Sequence, residues 1–127
     1  MLFRSCFAVL ACVIACSLTG SAFATPVFKK AFDENYGKNE AIKKASEEAK
    51  CNVCHFGNSK KNKNDYGKAL GELLKKDKYK EDRVKAEPEA VKKEIEEAFK
   101  KVEAAKSKGG DTFGDRLKAG KLPGSPE

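Results

Sequence analysis

At 127 residues, of which 40% are apolar, the chain can build one small core but not two. Its 26 basic and 19 acidic residues leave a formal charge of +7, but the two signs are interleaved and no aromatic-basic platform accompanies them, which argues against nucleic-acid binding. A lone histidine and five cysteines are the only soft ligands besides one methionine, so any metal or redox chemistry has few residues to choose from.

Residues 1 to 24 read as an export leader. Met1-Leu2-Phe3-Arg4 is a short positive start, Ser5 to Leu18 is almost wholly apolar, and Ala22-Phe23-Ala24 has the small-x-small pattern that signal peptidase prefers. Cleavage is therefore expected after Ala24, giving an exported, periplasmic chain of residues 25–127. The apolar run is broken from Ser17 to Ser21 and is too short for a committed span, so the mature chain is expected to have no integral membrane segment. The alternative is a lipid anchor, since Val13-Ile14-Ala15-Cys16 has the shape of a lipobox. With cleavage after Ala24, Cys6, Cys12 and Cys16 leave with the leader, and 103 residues carrying about +6 remain.

The mature pattern is helical throughout, an all-α domain of three main helices. An entry segment, 25–38, places Phe28, Phe32 and Tyr36 four residues apart and is expected as a short helix or as an arm packed on the core. Asn39 is a fitting N-cap for a helix through Lys50 whose stripe of Ile42, Ala45, Ala49 and Val53 runs on into the next turn. Residues 57 to 64 form a polar, basic loop. A second helix, capped by Asn64 and running to about Lys76, aligns Tyr66, Ala69, Leu70, Leu73 and Leu74. Gly67 and Gly71 on a neighbouring face would admit a backbone or a flat ring at close range.

A charged connector follows, and then Pro88 opens a long helix to about Lys108 before Gly109-Gly110. Val91, Ile95, Ala98, Phe99 and Val102 line its apolar side. On its other faces Glu89 with Lys93, Glu96 with Lys100 and Glu97 with Lys101 are spaced for i,i+4 ion pairs. The tail, 111–127, carries Phe113, Leu117 and Leu122 and is expected to wrap over the core.

The only cysteines and the only histidine of the mature chain fall in one run, Cys51-Asn52-Val53-Cys54-His55. This C-x-x-C-H spacing is that of covalent c-type haem attachment: two thiols on one side of a turn reach the two haem vinyl groups, and the histidine comes up beneath the iron. A structural zinc site wants four ligands, and three within one turn strain its tetrahedral geometry. A thioredoxin-like dithiol normally follows a strand, and no strand pattern precedes Cys51. The pocket-wall residues expected around such a group are Val53, Phe56, Tyr66, Leu70, Leu73, Val91, Ile95 and Phe99. His55 should also donate its second ring N–H, most simply to a backbone carbonyl.

With this motif following an N-terminal helix in an exported all-helical domain of about a hundred residues, the chain resembles the small single-haem c-type cytochromes. The resemblance implies one covalent haem c held by Cys51 and Cys54, His55 as proximal iron ligand, and electron transfer as the role. The chain departs from the family pattern in its sixth ligand: the only methionine is Met1, lost with the leader, and His55 has no second histidine to oppose it. The sixth position is then expected to be open, held by water, or held by a weaker donor such as a lysine amine, an asparagine, a tyrosine or the α-amino group of Thr25, and five-coordinate iron that binds or senses NO, CO or peroxide is the alternative function. Enzymatic catalysis is not expected beyond a weak peroxidase-like activity, because only Arg83 and Arg116 remain as candidate distal groups. Lys60, Lys61, Lys63 and Lys68 would form a basic collar for an acidic redox partner.

Overall fold

The computed structural model describes residues 24–125; the expected export leader, with the alternative lipobox and the first residues of the expected cleavage site, lies outside them. Six α-helices follow in order: α1 Ala24–Tyr36, α2 Glu40–Ala49, α3 Asp65–Leu73, α4 Glu81–Ala86, α5 Pro88–Glu103 and α6 Phe113–Lys118. Short 3-10 turns lie at Lys50–Val53 and Lys76–Lys78. No strand occurs among the described residues, so the domain is all-α. The three main helices expected are α2, α3 and α5; the entry segment takes the helical of its two readings as α1, and α4 and α6 are added.

The additions follow from burial. The entry arm is a full helix because its four-residue aromatic repeat seats Phe32 in the core, with Phe28 and Tyr36 packed beside it. The charged connector folds as α4 because Val84 has core to pack on and Arg83 reaches Glu94 of α5 at 2.6 Å and stacks over Tyr79. In the tail, Thr112 caps α6 by accepting from the Asp115 N–H, and the helix buries Phe113 and Leu117.

Two helices end earlier than the spacing suggests. α3 stops at Leu73, where Leu74 leaves helical geometry and turns into the core, so Leu73 is left 45% exposed. α5 ends at Glu103 because the chain folds back: the Phe113 N–H donates to the Ala105 carbonyl and Lys106 pairs with Thr112. The three ion pairs expected along α5 do not close. Its charges reach other helices instead, Glu94 to Arg83 on α4 and Lys92 to Glu34 on α1.

The core centres on four rings. Phe32 of α1 meets Tyr66 of α3 and Phe99 of α5 edge-on at 6.1 and 6.2 Å, and Tyr66 meets Phe113 of α6 at 5.3 Å. Each buried ring contributes about 1.5–3 kcal/mol. Between helices, Tyr36 donates to Glu103 at 2.6 Å and Ser46 donates to Asp33 at 2.6 Å, so α1 is tied to both α5 and α2. The core therefore stands behind α3, whose other side faces the C-x-x-C-H segment.

Candidate haem-binding cavity

The motif is presented by a bend. α2 closes at Lys50, whose φ of 52° and ψ of −117° form the only positive-φ conformation of a non-glycine residue among the described residues. Such a backbone costs on the order of 1–3 kcal/mol and persists only when its surroundings impose it. It throws the chain out of α2 into the 3-10 turn, with Cys51 exposed and Val53 buried against the core. The His55 and Cys54 N–H groups both donate back to the Cys51 carbonyl, at 3.2 and 3.3 Å, which closes the turn.

The loop at 57–64 then folds back on the motif. Its Asn62 carbonyl accepts from the Phe56 N–H at 3.2 Å and lies 3.0 Å from His55 Nδ1, while Lys63 pairs with His55 as an isolated β-bridge. A carbonyl can only accept, so Nδ1 carries the proton and Nε2 keeps a lone pair for a ligand. The carbonyl expected as partner of the histidine is thus Asn62.

Asn64 locks this arrangement to α3. Its side-chain oxygen accepts from the Gly67 N–H at 2.9 Å, its side-chain nitrogen donates to the Val53 carbonyl at 3.1 Å, and its own N–H donates to the Cys54 carbonyl at 3.1 Å. Gly67 is the contact point: any side chain there would collide with the Cys54 carbonyl oxygen. Of the two approaches foreseen for the α3 glycines, Gly67 therefore admits a backbone.

The result is a cavity of about 420 Å³ with Cys51, Cys54 and His55 together on its wall. That volume lies in the range of small-molecule and cofactor sites. Its apolar surface comes from Phe28 and Phe32 of α1, Val53 of the turn, and Leu70 and Leu74 at α3. Of the expected walls only Val53 and Leu70 are there. Tyr66, Val91, Ile95 and Phe99 belong to the core behind α3, Phe56 is half-buried beside the motif, and Leu73 points outward. The unforeseen walls Phe28 and Phe32 carry the four-residue aromatic repeat, and Leu74 enters because the helix ends one residue before it.

Of the expected basic collar, Lys60 and Lys63 line the cavity, while Lys61 and Lys68 are exposed elsewhere on the loop and on α3. Neither arginine is near: Arg83 is held by Glu94 and Glu87, and Arg116 donates to the Leu122 carbonyl. Desolvation pushes the Cys54 thiol up to about 12, a shift that nearby Lys29 opposes and Cys51 reinforces. A wider depression of about 540 Å³ over α4 is lined only by charged side chains, among them the Arg83–Glu94 pair, and holds no ligand-like set.

Among the described residues no helix is long and apolar enough to cross a membrane. No protein-family model, curated protein or solved structure matches the chain.

Proposed function

We propose that the protein is an exported electron carrier that holds one haem covalently in this cavity. Cys51 and Cys54 would hold the group through thioethers, and His55 would ligate the iron through Nε2. The haem supplies an iron that gains and loses a single electron without bond rearrangement. What carries the reading is that the two thiols and the histidine share the wall of one apolar cavity, with the ring's other nitrogen already committed to the Asn62 carbonyl.

The chain's own residues do the positioning. Asn62 fixes the tautomer and the plane of His55, Asn64 and Gly67 fix the distance of the motif from α3, and Phe28, Phe32, Leu70 and Leu74 keep water from the inner face. The partner is an acidic redox protein drawn to the lysines of residues 60–68, with an association rate that falls as salt rises.

The decisive experiment is a pyridine haemochrome spectrum with intact mass of the exported protein. One c-type haem per chain is expected, and the mass of bare polypeptide would remove the proposal. The second reading, small-ligand binding at an open iron face, is favoured by one observation: His55 is the only histidine or methionine in residues 25–127. Ready CO binding by the ferrous form supports it, whereas a low-spin ferrous form indifferent to CO returns the protein to electron transfer alone.

A further inference from the structure

The cavity's apolar inner face does not account for the charge at its edge. Six lysines, Lys29, Lys50, Lys60, Lys63, Lys75 and Lys76, stand on its wall against one carboxylate, Asp77. Lys29 is neutralised by Asp33 at 2.5 Å. Lys63 and Lys75 have no carboxylate at ion-pair distance among the described residues, and the two are gathered about a single residue, Gly71. Lys75 Nζ donates to the Gly71 carbonyl at 3.2 Å, and Lys63 Nζ stands 3.0 Å from where a side chain at 71 would begin.

Two ammonium groups held near one residue repel each other, and an anion between them would relieve that repulsion. Lys75 spends one of its three N–H groups on Gly71, leaving two to donate, and Lys63 has all three. Gly71 keeps the space beneath Lys63 clear. It also lies one helical turn, about 6 Å, along α3 from Gly67, the residue in contact with Cys54. The pair is thus displaced along the cavity from the thiols.

We propose that Lys63 and Lys75 form a carboxylate-binding pair, and that the carboxylates they take are the two propionates on the edge of the haem opposite its vinyl groups. This rests on the haem reading above: with the vinyl edge held by Cys51 and Cys54, the opposite, acidic edge would lie away from the thiols, and Lys63 and Lys75 on the same cavity wall are the residues that would hold it. The pair orients the group in the cavity and neutralises the charge it brings. A carboxylate arriving from outside, on a small organic acid, would meet the same two ammoniums, and the test separates these sources.

Haem labelled with 13C at its propionate carboxyls is incorporated during export of the wild-type protein and of K63Q, K75Q and K63Q/K75Q. Haem content is taken from the pyridine haemochrome, and the labelled carboxylate stretch is read by infrared difference spectroscopy. The band should move toward its position in free aqueous propionate in the double variant, move part-way in each single variant, and be restored in K63R/K75R.

A wild-type protein without haem overturns the haem reading and this orientation together. Haem-loaded variants whose labelled band coincides with that of the wild type overturn the orientation alone. If 13C-acetate added to the wild type then gives a bound band that the double variant lacks, the pair stands with an external carboxylate as its ligand; no such band removes the pair. Should K63Q/K75Q fail to load, G71A is read the same way, because a methyl there displaces the Lys63 ammonium and leaves both lysines in place.

Discussion

The two ends of α3 are built from similar residues for different purposes. At its N-terminal end Gly67 is buried, and the helix is pinned by Asn64 and Asp65 to the motif, the loop and the tail. At its C-terminal end, one turn on, Gly71 is half-exposed and its neighbour is the flexible end of a lysine. One glycine serves backbone packing that fixes the site. The other keeps open a space at the cavity edge. What a glycine is for depends on whether the atom above it can move.

The sharpest way to break that comparison is Gly67→Ala. A methyl would meet a backbone carbonyl that is itself held by the Asn64 N–H, so neither side can yield cheaply. Although alanine is the better helix former, a loss of about 3 kcal/mol is expected, the upper range of overpacking. Denaturant unfolding of the variant should show it, together with a reduced yield of haem-loaded protein. Wild-type stability and loading would mean that the Cys54–α3 contact does not position the motif.

Asn64→Ala comes next. It removes the α3 cap and orphans the buried Val53 carbonyl and Gly67 N–H together, at a combined cost of about 2–3 kcal/mol. Asn64→Asp separates the two roles, since it keeps an acceptor for Gly67 but has no donor for Val53. It should fall between the wild type and the alanine variant in urea midpoint.

This region also shows what could be read from the sequence. Asn39 and Asn64 as caps, Pro88 as a helix start, and the pairing of Cys51, Cys54 and His55 follow from spacing and local hydrogen-bond chemistry, and these signals are short-range. The cavity walls are not. Val91, Ile95 and Phe99 are apolar at helical spacing just as Leu70 is, and only the packing of α5 behind α3 decides that they never meet the cavity. Likewise Leu73 and Leu74 share one stripe on paper, and the helix end that turns one out and the other in is a tertiary event. Residues 60–68 read as a uniform basic collar, yet the fold-back of the loop on His55 brings only Lys60 and Lys63 to the cavity wall.

Asp65 adds a pH signature to the fixed end. Partial burial alone would raise its carboxyl, but the backbone N–H groups of Ser125, Lys108 and Tyr66 outweigh that and hold it below its ordinary value. A lowered folded-state value means that its contribution is complete above the unfolded value, about pH 4, and is lost as pH falls through the folded one. Asp65→Asn should therefore cost about 1 kcal/mol at neutral pH. Its deficit against the wild type should shrink as the pH falls below about 4, followed by thermal unfolding across pH 2–7. A deficit independent of pH would assign the effect to shape and not to charge.

Gly71→Ala should have the smallest effect, and it completes the comparison. It is the same substitution in the same helix as Gly67→Ala, and both gain helix propensity, about 0.5–1 kcal/mol. Here the new methyl meets only the Lys63 ammonium, 3.0 Å from where its carbon would be, and a side chain with four rotatable bonds can swing aside. The gain and the displacement nearly cancel, so the unfolding midpoint should stay within about 0.5 kcal/mol of the wild type, on the stabilising side if anything. A large loss of stability would mean that the Lys63 position is part of the scaffold. Unchanged stability with altered surroundings of the bound group is what a ligand-facing end of α3 requires, because a side chain at 71 meets nothing of the chain but the movable end of Lys63.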